Sequence, residues 1–163
     1  MKTILYSGLT ANGNYGSSET GQLPKPEEIN DLIQNAKEAG NIVMGRKTYE
    51  IFNDGVIFAG LDVVVVSGSN GSVAEVQVAG SPKEALDYLK AKGFDTAFVI
   101  GGVSLANAFL TEKLIDEVVM NIEPYIEAGL KLELDGGGFQ NLKLLGYREI
   151  EKSGIVQIRY KVD

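Results

Sequence analysis

Arg46, Lys47 and Thr48 stand in a row directly after Asn41-Ile42-Val43-Met44-Gly45, an apolar run that ends in glycine. The run reads as a buried strand, and Arg46-Lys47-Thr48-Tyr49-Glu50 as the first turn of a helix. Free N–H groups and the positive end of the helix dipole make such a turn an anion site. Two cations and a hydroxyl beside it would hold a phosphate by charge-assisted hydrogen bonds. The plainer reading of the same residues is a strand–helix junction with a solvated basic turn. A second junction of this kind follows at Thr96-Ala97-Phe98-Val99-Ile100, Gly101-Gly102 and the helically spaced Val103-Ser104-Leu105-Ala106-Asn107-Ala108-Phe109-Leu110. Paired glycines let a backbone pass close to a ligand, although they also suit tight strand–helix packing. The pair is neither a GxGxxG fingerprint nor a phosphate loop ending in GK[ST]. One cationic and one glycine-rich turn together suit a long polyanionic ligand such as a dinucleotide.

These segments resemble a known family. Val43-Met44-Gly45-Arg46-Lys47-Thr48-Tyr49-Glu50 is similar to the cofactor-phosphate motif of dihydrofolate reductases, and Val99-Ile100-Gly101-Gly102 to their glycine-pair motif. Val63-Val64-Val65-Val66-Ser67 resembles the strand whose terminal serine contacts the adenosine end of NADPH. The C-terminal run, Leu142 to Tyr147 and Gly154 to Tyr160, is closer to the reductase domain of bacterial riboflavin biosynthesis, which shares this fold. The motifs occur in the same order over nearly the whole chain. The resemblance implies NADPH as cofactor, with Gly45, Arg46, Lys47, Thr48 and Ser67 at its phosphates and adenosine end. Gly101, Gly102, Val103 and Ser104 would meet the pyrophosphate, and Ala11, Asn12 and Gly13 would lie near the nicotinamide in a lid.

The resemblance also implies a proton-delivering carboxylate early in the helix after a Leu-Pro pair, here Leu23-Pro24. Glu28 is the best match and Asp31 the next, although both also read as ordinary helix N-terminal acids in solvent. Asn121 stands where the family often has a hydroxyl that helps the acid; it could equally bond a neighbouring loop. Two positions depart from the riboflavin-type reductases. Ile100 replaces an acid before the glycine pair, and Thr10-Ala11-Asn12-Gly13 replaces Ser-x-Asp-Gly. The implied activity is reduction of a dihydrofolate- or pterin-like heterocycle. The alternatives are a riboflavin-pathway reductase acting on a phosphorylated ribosylaminopyrimidine and a non-catalytic nucleotide-binding protein.

Composition narrows the chemistry independently. The chain has no histidine and no cysteine, so imidazole acids and bases, thiol nucleophiles, disulfides and thiolate metal sites are all excluded. A reaction whose hard step belongs to a cofactor survives these exclusions. The net charge of −7 argues against non-specific nucleic-acid binding, so an anionic cofactor must be held by local cations. No apolar run is long enough to span a bilayer, and Met1-Lys2-Thr3-Ile4-Leu5-Tyr6 is too short and too quickly polar for a signal peptide. The expectation is one domain over residues 1–163, cytoplasmic, without a metal, monomeric or homodimeric.

The elements that must position these residues alternate. Strands fit residues 3–9, 41–45, 62–67, 73–79, 96–101, 117–123, 142–151 and 155–162. Helices fit the segment from Pro26 to Gly40, then 46–54, 81–92 and 102–111. Residues 10–24 form a Gly/Asn/Ser/Thr-rich loop, long enough to be functional. The pattern predicts an α/β fold with a mostly parallel sheet of about eight strands, flanking helices and an antiparallel C-terminal hairpin at Lys152-Ser153-Gly154. In such sheets ligands sit outside the strand C-termini, here at Leu9, Gly45, Ser67 and Gly101. Other candidates are weaker. Asp135-Gly136-Gly137-Gly138 reads as a surface turn, and Glu123, Glu127, Glu133 and Asp135 as a solvated acidic face. Tyr6, Tyr15, Tyr49 and Tyr125 read as core-edge residues.

Overall fold

The structure, a computed structural model, describes residues 1–15, 24–52, 56–69 and 76–163. Eight strands form one sheet: β1 (Lys2–Thr10), β2 (Asn41–Gly45), β3 (Asp62–Val66), β4 (Gln77–Ala79), β5 (Thr96–Gly101), β6 (Glu117–Glu123), β7 (Leu142–Glu149) and β8 (Val156–Val162). Their order across the sheet is β4-β3-β2-β5-β1-β6-β8-β7. The first six are parallel, and β8 and β7 close the far edge antiparallel. The helices are α1 (Pro26–Ala39), α2 (Arg46–Ile51), α3 (Pro82–Ala91) and α4 (Val103–Thr111). This is the expected α/β architecture.

Parallel strands with helices on both faces must be apolar on both sides, and the central ones are. Val43, Val64, Val99 and Val118 pack with Leu89 of α3 and Phe109 of α4 on one face. Ile42, Met44, Phe98 and Val119 pack with Leu32 and Ala36 of α1 on the other. Burial of each such side chain contributes about 1.5–3 kcal/mol. The helix ends follow local chemistry. Pro26 opens α1, and Gly40 closes it at φ +74°, its N–H returning to Ala36 O at 2.8 Å. Ser81 caps α3 by accepting from Glu84 N at 3.2 Å, while Glu84 Oε2 accepts from Gly80 N at 2.7 Å.

Three boundaries differ from the sequence expectation by two residues or more. The helix expected over 46–54 ends at Ile51, followed by a 3₁₀ turn at Val56–Phe58. β4 is three residues long, and positions 73–75 of the strand expected there lie outside the described residues. β7 ends at Glu149, two residues earlier than expected. Of the expected lid, Thr10–Tyr15 is described and residues 16–22 are not. The described part is tied down: Thr10 N donates to Asn14 O, Ala11 N to Tyr125 O and Tyr15 N to Leu130 O, at 2.8, 2.8 and 2.6 Å. No helix among the described residues is long and apolar enough to cross a membrane.

Candidate active site

Because β3, β2, β5, β1 and β6 run parallel and adjacent, their C-terminal ends share one edge of the sheet. In that order the edge carries Ser67, Gly45, Gly101, the turn at Thr10–Gly13, and Glu123. Strand spacing makes this row about 19 Å long, the scale of an extended dinucleotide.

One half of the edge is built from backbone. Gly45 closes β2 and Gly101 closes β5, and a Cβ added at Gly45 would lie 3.8 Å from both Gly101 O and Gly102 N. A Cβ at Gly102 would lie 3.3 Å from Thr48 Oγ1, so the two expected cofactor turns meet with little side chain between them. Gly101 has φ +91°, a conformation that favours glycine, and a Cβ there would collide with the Tyr15 hydroxyl. That hydroxyl donates to Ile100 O at 3.1 Å, which joins the turn after β1 to the glycine pair. Burial, partly offset by Ser7 beside it, pushes the Tyr15 phenol up to about 12. Arg46 is half-buried and has a partner within the protein; Lys47 is exposed. Val103 and Ser104 form the first turn of α4. This donor set and the uncovered backbone fit a phosphate-rich cofactor.

The other half is a buried polar row. Register places Gly8, Asn121, Gln157 and Arg148 opposite one another across β1, β6, β8 and β7. Directly opposed residues share a sheet face, and this row faces α1. Gly8 leaves room for the Glu28 carboxyl: a Cβ at Gly8 would lie 3.1 Å from Glu28 Oε1. Asn121 Nδ2 donates to Glu28 Oε1 at 2.8 Å, and Gln157 Nε2 to Asn121 Oδ1 at 3.0 Å. Gln157 Nε2 also donates to Asp31 Oδ2 at 2.7 Å, and the Tyr6 hydroxyl to the same oxygen at 2.9 Å. Arg148 donates to Asp31 Oδ1 and, through Nε, to Gln157 Oε1 at 2.9 Å.

The two acids of α1 are therefore in different electrostatic situations. Asp31 is buried but holds a cation and three further donors, Asn35 Nδ2 at 3.3 Å being the third, as a buried carboxylate requires. Glu28, 5% exposed, has Asn121 on one oxygen and Glu123 beside it. Burial first, then the hydrogen bond and charge of Glu123, push the Glu28 carboxyl up to about 8, against the pull of Asn121. Burial and the charge of Asp31 push the Tyr6 phenol far up.

Of the residues expected in the site, the structure joins Gly45, Thr48, Gly101 and Gly102 at one end and Glu28 with Asn121 at the other. Asn12 is engaged locally, accepting from Thr10 Oγ1 at 2.6 Å and donating to Glu127 O at 3.0 Å. Ser67 closes on its own turn, its hydroxyl 3.1 Å from that of Ser69. One expectation is corrected. Glu123 is not part of a solvated acidic face: it is 6% exposed, because it ends β6 beside Thr10 and under α1. The solvent reading of Glu28 and Asp31 fails for the same reason, since both lie on the sheet-facing side of α1. Gln157 and Arg148 were not singled out from the sequence; an amide inside the apolar run Ile155-Val156-Gln157-Ile158 is the signal that could have found the first.

The profile of the dihydrofolate reductase family, described as "Dihydrofolate reductase", matches residues 10–127. No curated protein sequence matches the chain. Among solved structures, a pyrimidine reductase-like protein from Corynebacterium diphtheriae aligns with a TM-score of 0.80 at 18% identity, over 99% of this chain and 92% of its own. A protein assigned to riboflavin biosynthesis in Shewanella sp. PV-4 aligns with a TM-score of 0.76 at 22% identity, over 100% and 99%. RibD of Acinetobacter baumannii aligns at 0.77 and 15% identity, over 99% of this chain and 58% of its own. At these identities the structures share the fold.

Proposed function

Because the chain belongs to the dihydrofolate reductase family, we propose that it reduces a small heterocycle, dihydrofolate- or pterin-like, with NADPH as hydride donor. The observation that carries this reading is one sheet edge with a glycine-lined, cationic half and a half holding a buried Glu28 carboxyl hydrogen-bonded by Asn121. Bound NADPH supplies a hydride. Arg46, Lys47 and Thr48 hold its phosphates, Ser67 its adenosine end, and Gly101, Gly102, Val103 and Ser104 its pyrophosphate. Ala11, Asn12 and Gly13 border the nicotinamide. Glu28 is protonated near neutral pH and donates to a ring nitrogen of the substrate, while Asn121 fixes the orientation of its carboxyl. With no histidine or cysteine in the chain, a carboxyl with a raised pKa is the available acid.

A second reading, reduction of a phosphorylated ribosylaminopyrimidine, has support from the names and full-length coverage of two fold neighbours. Loss of NADPH absorbance with dihydrofolate and with the phosphorylated pyrimidine, run in parallel, separates the two. Turnover of neither, with NADPH still bound, leaves a non-catalytic nucleotide-binding protein.

A further inference from the structure

We propose that Glu123 is a positioning residue for Glu28: the two buried carboxyls share one proton, and this sharing keeps Glu28 able to donate in neutral solution. The inference rests on the reading of Glu28 as the acid that protonates the substrate.

The geometry forces the hydrogen bonds into one direction. A guanidinium can only donate, so the Gln157 oxygen must face Arg148, as it does at 2.9 Å. The Gln157 amide nitrogen then faces Asn121 and donates to its oxygen at 3.0 Å. The Asn121 nitrogen is thereby turned to Glu28 Oε1, at 2.8 Å. Flipping Gln157 would set donor against donor at Arg148, and flipping Asn121 would set donor against donor at Gln157. The chain ends at Glu28, whose carboxyl lies in a niche that Gly8 leaves open, and Glu123, buried two residues after Asn121 on β6, lies on the same face of the sheet.

Glu123 brings no donor of its own. Its Oε2 is buried and without a hydrogen-bond partner among the described residues. Two buried carboxyls then lie on one side of the sheet edge, and leaving both ionised and unbridged is costly. One proton between them satisfies both, as in other close carboxyl pairs, and the titration belongs to the pair. Among the described residues, the groups around it do not neutralise it. From α1, Asp31 adds negative charge and already holds Arg148 of β7. Lys25, before α1, donates to Ser153 O at 2.8 Å. Tyr6 of β1 donates to Asp31, Tyr15 to Ile100 O, and Tyr125, after β6, has its own phenol raised by burial and by Glu123, Glu127 and Glu28. The rise of the Glu28 carboxyl to about 8, with Glu123 second only to burial among its causes, agrees with this arrangement.

In turnover the shared proton goes to the nitrogen of a substrate C=N bond whose carbon takes the hydride. Both carboxylates are then charged, and one proton taken up from water restores the pair.

The test is a pH titration of glutamate side-chain carboxyls by ¹³C NMR on the whole, cofactor-free chain, with the Glu28 signal assigned by its loss in Glu28→Gln. In the wild type that signal should titrate far above the usual carboxylate range. In Glu123→Gln its midpoint should fall by at least about one unit, a tenfold loss of proton affinity. An unmoved midpoint overturns the proposal. If Glu123→Gln fails to fold, Glu123→Asp withdraws the carboxyl by one methylene and should move the midpoint the same way; no movement there overturns it equally. The turnover profile should follow, its alkaline limb shifting to lower pH in Glu123→Gln with the KM for NADPH unchanged. Wild-type protein that shows the shift yet reduces neither pterin nor pyrimidine removes the reductase reading and keeps the pair. Turnover lost in Glu28→Gln, with an unmoved midpoint in Glu123→Gln, removes the pair and keeps the reading.

Discussion

Replacing Glu28 by Gln should make the protein more stable in alkaline solution and slower as an enzyme. The Glu28 carboxyl is pushed from an ordinary 4.5 up to about 8, chiefly by burial. The folded chain therefore binds this proton more tightly than the unfolded chain does. The stability this group contributes is fully present below pH 4.5, declines as pH rises through the window from 4.5 to about 8, and is lost above it. At about 1.4 kcal/mol per unit, the whole window corresponds to an upper figure of about 4–5 kcal/mol, and the part reached by pH 7 to about 3 kcal/mol. Glutamine removes the titration. Its carbonyl can still accept from Asn121, and its amide can donate to the unpartnered Oε2 of Glu123. Urea denaturation at pH 5, 7 and 9 should show wild-type stability falling with pH and a much flatter profile for Glu28→Gln, the variant being the more stable at pH 9. Turnover of the accepted substrate should drop sharply near neutral pH, with NADPH affinity nearly unchanged. Parallel pH–stability profiles for the two proteins would refute the reasoning, because they would place Glu28 in contact with solvent.

Arg46→Ala should weaken NADPH by roughly 1–3 kcal/mol and NADH by less, since the lost cation would face the extra phosphate; calorimetry giving wild-type protein equal affinity for both cofactors contradicts this. Gly101→Ala should destabilise the fold by at least about 1 kcal/mol, from its φ of +91° and the collision with Tyr15, and should lower cofactor affinity; unchanged thermal unfolding and unchanged binding would mean the glycine is dispensable. Arg148→Met should cost about 1–2 kcal/mol in urea denaturation at pH 7, discounted because the Arg148 side chain is 57% exposed, while Asp31 stays buried with the neutral donors Tyr6, Gln157 and Asn35. An unchanged midpoint would show that those three donors suffice.

The parts of this protein legible in its sequence are those where one segment carries the whole signal. Apolar runs such as Ile42-Val43-Met44 and Ala97-Phe98-Val99-Ile100 announce strands buried on both faces, and Ser81-Pro82 with Glu84 announces a helix start. The cofactor turns are legible for the same reason: cations or glycines directly follow a strand. Glu28 could be singled out only through resemblance, because an acid in a first helical turn usually faces water. Glu123 was misplaced because strand alternation says which residues share a face, not which face is covered. Beside Glu127 and Glu133 it looked like one more surface charge, whereas α1 covers the side of β6 on which it lies.

Gln157 and Arg148 belong to a harder class. Their meaning depends on register across β6, β8 and β7, and the β7–β8 pairing shifts between Leu144 and Gly146. Without that irregularity the row would break, since a one-residue slip turns every side chain to the opposite face. With it, a surface cation on the outermost strand orients, through two amides, a carboxyl beside the innermost one. The division of labour along the sheet edge follows. The proposed cofactor half relies on glycines and backbone, which few substitutions can alter without loss. The proposed substrate half relies on the side chains of a cross-strand row, where exchanging Asn121 or Gln157 changes which hydrogen bonds are offered without disturbing Gly45, Gly101 or Gly102. Changes of substrate within this fold are therefore expected along the row from Gly8 to Arg148, and the direction of its hydrogen bonds, fixed at Arg148, decides whether Glu28 meets a donor or an acceptor.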